Sequence, residues 1–277
     1  MFIEASRKNR IKKAILLLFV FIVPGAFFCW QNNDVVVTKY DYINTEIPVD
    51  FDGFKILQVS DLHNKEFGTD QEVLVSLTKE IAPDIIVVTG DLIDSNHTDI
   101  DVVMEYISQA VLIAPVYFVT GNHEMWSEEY TTLAADLVKY GVVILDNKNI
   151  ILTKNGGEIS LLGLSDGDVI SKESETVFDS AGNKFCILLS HRPELLKEYA
   201  QKGVDLVFAG HAHGGQFRIP YLGGLFAPTQ GLFPKYTSGV YTEADTTMVV
   251  SRGLGNSVIP VRVFNRPELV VVTLREG

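Results

Sequence analysis

Six short apolar runs, rich in β-branched residues, recur along the chain and alternate with segments of helical periodicity. Runs of this length and composition are typical of buried strands. The predicted strands cover residues 54–60, 84–89, 116–120, 159–164, 185–190 and 204–209. Strands that alternate with helices imply an α/β fold in which helices cover largely buried sheets, and a final β-rich stretch over 248–274 predicts additional antiparallel pairing.

The predicted helices cover residues 70–81, 101–113, 128–140 and 193–202. Their starts are marked by a capping box at Thr69 and Glu72, by Ser127 as an N-cap, and by Pro193 at a first helical position. The predicted helices therefore lie between the predicted strands.

Polar side chains with metal-binding chemistry follow five of these strands, directly where each strand ends. They are Asp61, His63, Asp91, Asp94, Asn122, His123, Glu124, His191, His211 and His213. In open α/β sheets the crevice beyond the carboxyl ends of the strands binds ligands, because loops converge there on a rigid support. Five of the six histidines lie in such loops, which indicates one shared site. His97, in a polar turn, is the exception and is predicted to be solvated.

The donors in these loops are aspartate, histidine and asparagine, without a thiolate. Such ligands suit Mn, Fe or Zn better than Cu(I). So many donors exceed the needs of one ion, and two ions about 3.5–4 Å apart require a bridging carboxylate, for which Asp91 is the natural candidate. Paired ions of this kind stabilise both the attacking and the leaving oxygen of an in-line displacement at phosphorus.

Five short motifs occur in order: DLH at 61–63, GDLID at 90–94, GNHE at 121–124, SH at 190–191 and GHAHGG at 210–215. In this order they resemble the motifs of the calcineurin-like metallophosphoesterases. The flanking segments GGQFRIP and SRGLGNSVIPVRVFNRPEL are similar to those of the membrane-associated bacterial phosphodiesterase branch of that family. The resemblance implies a layered α-β-β-α sandwich with two mixed sheets and a metal site at the carboxyl ends of the strands.

The resemblance also implies a role for each motif residue. Asp61, His63 and His213 would hold one metal ion, Asn122, His191 and His211 the other, and Asp91 would join them. A hydroxide bridging the two ions would be the nucleophile. His123 resembles the general acid of the family, with Asp94 orienting its imidazole, and Glu124 would support the ligands without binding metal. A structural alternative for Asp94 and Glu124 is that each only favours a helix start.

A basic tip over residues 1–13 precedes a stretch over 14–30 that carries no charge. This pattern indicates a membrane anchor, with residues 31–50 as linker and first strand and 51–277 as the catalytic domain. The positive-inside rule then places the tip in the cytoplasm and the catalytic domain outside, in a single-pass protein of the cell membrane. No small-residue cleavage site follows the stretch, which favours an uncleaved anchor. The structural alternative is a buried N-terminal helix of the globular domain.

The formal net charge is −12, and Lys and Arg cluster only within residues 1–13. A nucleic-acid groove needs such clusters elsewhere, so nucleic acid is discounted as a partner. The two cysteines, Cys29 and Cys186, suggest neither a disulfide framework nor a thiolate site. Four arginines could grip phosphate oxygens, with surface ion pairs as the simpler interpretation. They are Arg192, Arg218, Arg252 and Arg262.

The segment 219–241 is apolar and glycine-rich although it follows a charged motif. It either packs against the body or forms an apolar lip that touches acyl chains or a bilayer. The lip would consist of Tyr221, Leu222, Leu225, Phe226 and Phe233.

Three functions follow from these observations. The first is a dinuclear phosphodiesterase or phosphomonoesterase of the cell envelope, with lipid-linked or cell-wall phosphodiesters as the favoured substrates. The second is a phosphatase of soluble substrates, phosphoproteins included, and the third is a metal-bound scaffold without turnover. The intact set of ligands disfavours the scaffold, and the anchor favours the envelope enzyme over the soluble-substrate phosphatase.

Overall fold

The computed structural model describes residues 9–10, 12–13, 16–166, 171–256 and 260–277. Two six-stranded sheets form its centre. The strands of the first sheet are β1 (Val36–Asn44), β2 (Lys55–Val59), β3 (Ile85–Thr89), β4 (Val116–Val119), β5 (Val143–Ile144) and β16 (Glu268–Glu276), in the order β1-β16-β2-β3-β4-β5. Those of the second sheet are β6 (Lys148–Lys154), β7 (Gly157–Gly163), β8 (Cys186–Leu189), β9 (Leu206–Ala209), β14 (Gly239–Glu243) and β15 (Thr246–Val250), in the order β14-β15-β9-β8-β7-β6.

Two small hairpins lie between β9 and β14. They pair β10 (Arg218–Ile219) with β11 (Gly223–Gly224) and β12 (Phe226–Ala227) with β13 (Gly231–Leu232). The helices are α1 (Val23–Asn33), α2 (Glu72–Ile81), α3 (Ile100–Ala110), α4 (Asn122–Trp126), α5 (Tyr130–Lys139), α6 (Lys172–Asp179) and α7 (Leu196–Gln201). A π-helical turn over Leu18–Ile22 precedes α1, and 3₁₀ turns cover Val49–Phe51, Thr69–Gln71, Pro193–Leu195 and His213–Gly215.

The two sheets pack face to face, since one buried cluster takes side chains from both, such as Ile56 and Val87 from the first and Ile187 and Phe208 from the second. A second cluster joins the outer face of the first sheet to α2, α3 and α5. A third joins the outer face of the second sheet to α6 and α7. Successive side chains of a strand point to opposite faces of the sheet. A continuous apolar run therefore supplies side chains both to the core between the sheets and to the core beneath the helices. The predicted α-β-β-α sandwich with two mixed sheets is confirmed.

The C-terminal strand β16 lies inside the first sheet, where it pairs in parallel with β1 and antiparallel with β2. The antiparallel pairing predicted for the last part of the chain is therefore confirmed. The neighbouring strand β15 instead joins the second sheet, in parallel with β9.

The capping box predicted at Thr69 is wrong. Thr69 opens a 3₁₀ turn in which Asp70 and Gln71 have φ of 52° and 60°, so α2 begins only at Glu72. The buried Gln71 side chain stabilises this turn instead. It accepts a hydrogen bond from the Phe67 amide at 3.0 Å and donates one to the Lys65 carbonyl at 2.8 Å.

Other helix bounds differ by a few residues. Helix α5 begins at Tyr130, because the Ser127 hydroxyl accepts a hydrogen bond from the Glu129 amide and so closes a separate turn before it. Pro193 opens a 3₁₀ turn, and the α-helical hydrogen bonds start at α7. The sequence did not reveal α6, whose N-cap Ser171 accepts hydrogen bonds from two amides of its first turn.

The N-terminal segment is helical from residue 16 to Asn33. The large apolar side chains of residues 16–23 are 43–66% exposed, which contradicts the alternative of a buried N-terminal helix. Residues 14 and 15 of the predicted anchor and most of the basic tip lie outside the described residues. Among the helices that are described, none has both the length and the hydropathy needed to cross a bilayer.

Candidate metal centre

The loops after β2, β3, β4, β8 and β9 meet at one edge of the sandwich and carry the predicted site residues. Five of these residues have left-handed backbone conformations, with φ between 46° and 66°. They are Asp61, His63, Asp91, His211 and His213. Non-glycine residues rarely adopt such conformations, which persist where surrounding contacts enforce them, as they often do at functional sites.

Two groups of buried donors lie in these loops and share one carboxylate. The first contains Asp61, His63, Asp91 and His213, and the second contains Asp91, His191 and His211. Within each group the ligand atoms lie within 4.8 Å of one another. In the first, the Asp61 carboxylate is 3.3 Å from His213 Nε2, which is 3.2 Å from His63 Nε2.

Asp91 lies between the two groups. Its Oδ2 is 3.6 Å from His63 Nε2 and 3.1 Å from His191 Nε2, which in turn is 3.1 Å from His211 Nδ1. Its other oxygen, Oδ1, accepts a hydrogen bond from the His123 amide at 2.9 Å. One carboxylate therefore contacts donors from both groups.

The donors fit divalent cations. The Oδ1 atom of Asn122 is buried and has no hydrogen-bond partner among the described residues, although buried amide oxygens are nearly always paired. Asn122 lines the same cavity as Asp91 and His211. A cation ligated by this oxygen and by the neighbouring imidazole nitrogens would give the Asn122 oxygen the partner that it lacks.

Burial and neighbouring charges set the protonation of the donor side chains. Burial alone would raise the pKa of Asp91, but the His191 imidazole holds it well below its usual range. Burial opposes protonation of His191, yet Asp91 raises its pKa to about 10. Burial lowers the pKa of His63 to about 4 and that of His211 and His213 well below the usual value. Burial therefore favours the neutral form of His63, His211 and His213, which is the form of histidine that ligates a cation.

Glycines let the loops approach closely. A Cβ atom on Gly121 would lie 2.3 Å from Asp91 Oδ1, and one on Gly90 would lie 2.6 Å from the Gly121 nitrogen. Gly90 also has φ of 88°, which favours glycine. Contact between the loops after β3 and β4 thus requires glycine both at Gly90 of the GDLID motif and at Gly121 of the GNHE motif.

Glu124 fastens the same two loops. Its buried carboxylate accepts hydrogen bonds from the amides of Gly121, Asp91 and Leu92 at 2.7–2.8 Å and from Ile93 at 3.2 Å. Burial raises its pKa to about 7, and the four donors favour the ionised form. Glu124 also lies in the first turn of α4. Its environment therefore fits both interpretations from the sequence, support of the metal ligands and a carboxylate that favours a helix start.

We expect Glu124→Gln to reduce both stability and metal affinity. The amide NH₂ of glutamine would face backbone N–H donors, and each buried donor left unpaired costs about 1–3 kcal/mol. Urea denaturation at pH 8 with and without metal would measure the change in the free energy of unfolding. Glu128→Gln, on an exposed residue of the next turn, is the matched control and should have no effect. Equal urea midpoints for Glu124→Gln and Glu128→Gln would contradict the inference that the Glu124 carboxylate holds the two loops together.

His123 lies at the rim of the site, with its ring centroid 4.5 Å from that of His63. Its Nδ1 accepts a hydrogen bond from the Ser95 amide at 3.1 Å, whereas the nearest Asp94 oxygen is 3.9 Å away. Burial would raise the pKa of Asp94, but the Asn96 amide and the nearby His123 imidazole keep it below its usual range. Ser95, which the sequence did not single out, is therefore the closer partner of the imidazole.

Of the four candidate arginines, only Arg192 lines the cavity of the site. The Nε and Nη2 atoms of the Arg192 guanidinium pair with the Asp166 carboxylate. The third nitrogen of that guanidinium, Nη1, lies 2.9 Å from His211 Nε2. Arg218 donates to the Gly214 carbonyl and Arg252 pairs with Glu268. Arg262 is buried and donates to backbone carbonyls, so the surface interpretation is wrong for this residue.

A cavity of about 320 Å³ lies over the two groups of donors. Asp91, Asn122, His123, His211 and His213 line its floor together with Arg192, while Trp126, Pro228 and Thr229 complete its walls. Asp94 does not line this cavity, and His97 is exposed outside it, as predicted.

Comparisons with known proteins agree with the motifs. Residues 54–215 match the family model of the calcineurin-like phosphoesterases. The chain is 29% identical to the metallophosphoesterase YkuE of Bacillus subtilis, over 88% of this chain and 87% of that protein. It is 26% identical to the phosphodiesterase YaeI of Escherichia coli, over 80% and 82% of the two chains. A bovine transmembrane protein with a metallophosphoesterase domain is 25% identical over 99% of this chain and 64% of that protein. The chain belongs to the calcineurin-like phosphoesterase family and is a metal-dependent phosphoester hydrolase.

Proposed function

We propose that the protein is a dinuclear phosphodiesterase of the cell envelope that acts on lipid-linked or cell-wall phosphodiesters. The observation that carries this proposal is the position of Asp91 between two groups of buried donors. Asp61, His63 and His213 would hold one divalent ion, Asn122, His191 and His211 the other, and Asp91 both. Mn, Fe and Zn all suit these oxygen and nitrogen ligands. Bound ions would supply Lewis-acid stabilisation of the charge that develops on phosphate oxygens and would lower the pKa of a water.

The residues of the chain then orient the substrate and provide a proton. Arg192 is held by Asp166 at the cavity wall, so its guanidinium is positioned to pair with a phosphate oxygen. His123 is the candidate general acid. As an imidazolium, whose Nδ1–H would be held by the Ser95 hydroxyl at 3.2 Å or by the Asp94 carboxylate, it would donate its Nε2 proton to the leaving oxygen and be left as a neutral imidazole.

Three observations support a diester substrate at the envelope. Trp126 and Pro228 offer apolar contacts to a second ester substituent beside the phosphate. The apolar side chains of residues 16–23 are exposed, which favours membrane anchoring, and the basic residues within 1–13 favour a catalytic domain on the outer side. The similar proteins YaeI and the bovine protein are named a phosphodiesterase and a transmembrane protein.

A substrate panel tests this proposal. The full chain, purified in detergent and stripped of metal, would be loaded separately with Mn²⁺, Fe²⁺ or Zn²⁺ and given bis(p-nitrophenyl) phosphate, p-nitrophenyl phosphate and a phospholipid. We expect kcat/KM for the diester to exceed that for the monoester by about tenfold or more, as contacts to the second substituent would provide. Faster turnover of the monoester would favour the soluble-substrate phosphatase, and no turnover with any metal would favour the scaffold.

A further inference from the structure

The apolar lip is exposed. Leu222 and Phe233 are 72% and 67% exposed, Tyr221 is fully exposed, and Phe226 is also on the surface, while Leu225 is half-buried. Pro228 and Thr229, in the hairpin of β12 and β13, line the cavity of the metal centre. One side of this segment therefore forms the cavity wall, while large apolar side chains of the same segment face solvent.

The lip is continuous with the N-terminal helix through Phe264. This exposed residue and residues 218–223 line one groove of about 550 Å³. The Phe264 ring also lies 5.6 Å from the ring of Phe27 in α1. The Arg218 amide donates to the Val263 carbonyl at 2.9 Å, which fixes the lip to the segment that contacts the helix. The exposed helix and the exposed lip thus belong to one apolar surface.

This surface ends at a polar boundary. The Trp30 indole donates a hydrogen bond to Asp34 at 2.7 Å, and the Arg266 guanidinium lies over its ring at 5.0 Å while pairing with the same carboxylate. From Gln31 to Asp34 the helix end is polar. An apolar helix followed by tryptophan and charged side chains is the arrangement found where a membrane protein meets the headgroups.

The end of the helix is fastened to the ligand loop. The buried Gln31 side chain accepts a hydrogen bond from the backbone N–H of Asn265 at 3.2 Å. The Asn32 side chain accepts one from the backbone N–H of Arg262 at 2.9 Å. Asn265 in turn donates to the carbonyls of His213 at 2.7 Å and Gln216 at 3.0 Å. The orientation of the helix is therefore coupled, through Asn265, to a loop that carries two metal-site histidines.

We propose that the surface formed by the apolar lip, Phe264 and α1 rests in the headgroup and upper acyl region of the bilayer that holds the N-terminal helix. The cavity then opens beside the phosphates of that same membrane, and the coupling through Asn265 keeps it there. This inference rests on the proposed envelope function. It adds that the bilayer itself, and not only an acyl chain of a captured substrate, covers the lip.

Quenching of tryptophan fluorescence by brominated lipid tests the contact without requiring turnover or metal. The chain has two tryptophans, so Trp30→Phe with Trp126→Phe gives a background in which a single reporter is introduced as Tyr221→Trp or Phe233→Trp. Leu112→Trp is the matched control, because Leu112 is 85% exposed and follows α3, outside the surface described above. Each full-length variant would be reconstituted into phosphatidylcholine vesicles with and without bromine on the acyl chains.

We expect bromination to lower the emission of the two lip reporters by about twofold, because interfacial side chains reach about 5–10 Å into the headgroup and acyl boundary. The Leu112→Trp reporter should not change. Unquenched lip reporters would overturn the docking even if lipid phosphodiesters are hydrolysed. Quenched reporters in an enzyme that prefers soluble monoesters would support the docking and reject the proposed function. Equal quenching of all three reporters would show adsorption without a defined surface and would also overturn the inference.

Discussion

Asp91→Asn should lower kcat/KM by about 10²–10³-fold and reduce the bound metal, because it removes the one carboxylate shared by both donor groups. An asparagine presents a single oxygen and no charge where Asp91 Oδ2 lies 3.1 Å from His191 and 3.6 Å from His63. The amide of His123, which now donates to Oδ1, would also lose an ionised acceptor. The loss should therefore affect both ions and the general acid together.

Elemental analysis after loading with Mn²⁺, Fe²⁺ or Zn²⁺ measures this result, with rates on a phosphodiester in parallel. The wild-type chain should hold two equivalents, and Asp91→Asn clearly fewer. Asp245→Asn is the matched control, since Asp245 is exposed in the turn between β14 and β15. A variant that keeps two equivalents and its rate would remove the shared carboxylate from the mechanism and with it the dinuclear assignment.

The layered fold and the gathering of the donors could be predicted because both depend on local patterns. Apolar runs of five to seven residues identify buried strands, and a polar residue after such a run must lie at the carboxyl end of that strand. His191 and His211 illustrate this, since each follows a buried strand and their ring nitrogens meet at 3.1 Å. When several such strands are parallel neighbours, the residues that follow them lie at the same edge of the sheet, even if they are far apart in the sequence.

Contacts that fix the site could not be predicted, because they join segments far apart in the chain. Asn265 reaches His213 only because the C-terminal strand β16 enters the first sheet between β1 and β2 and brings the preceding segment to the ligand loop. Asp166 holds Arg192 from a loop after β7. The Ser95 amide is a backbone group, so no side-chain motif reveals its contact with His123. Such contacts depend on tertiary placement and have no local signal.

His123→Ala should leave the metal content unchanged and slow hydrolysis in a way that depends on the leaving group. With an alkyl leaving group, which must be protonated as it departs, we expect a loss of about 10²–10⁴-fold, the usual contribution of a positioned general acid. With p-nitrophenolate, which leaves readily as an anion, the loss should be about tenfold or less. Rates for a series of diesters with leaving groups of increasing pKa would therefore fall more steeply for the variant.

This dependence separates proton donation from a merely structural role of His123. The ring lies against both His63 and Trp126, at centroid distances of 4.5 and 5.4 Å, so its removal could also disturb packing at the rim. A packing defect would slow all diesters by a similar factor and leave the slope unchanged, because the chemistry of the leaving oxygen would be the same. His97→Ala, on an exposed histidine in the turn after Asp94, is the matched control and should match the wild-type rate for every substrate. A parallel slope for His123→Ala would assign the proton to another donor, whereas a steeper slope at full metal occupancy requires that His123 itself provides it.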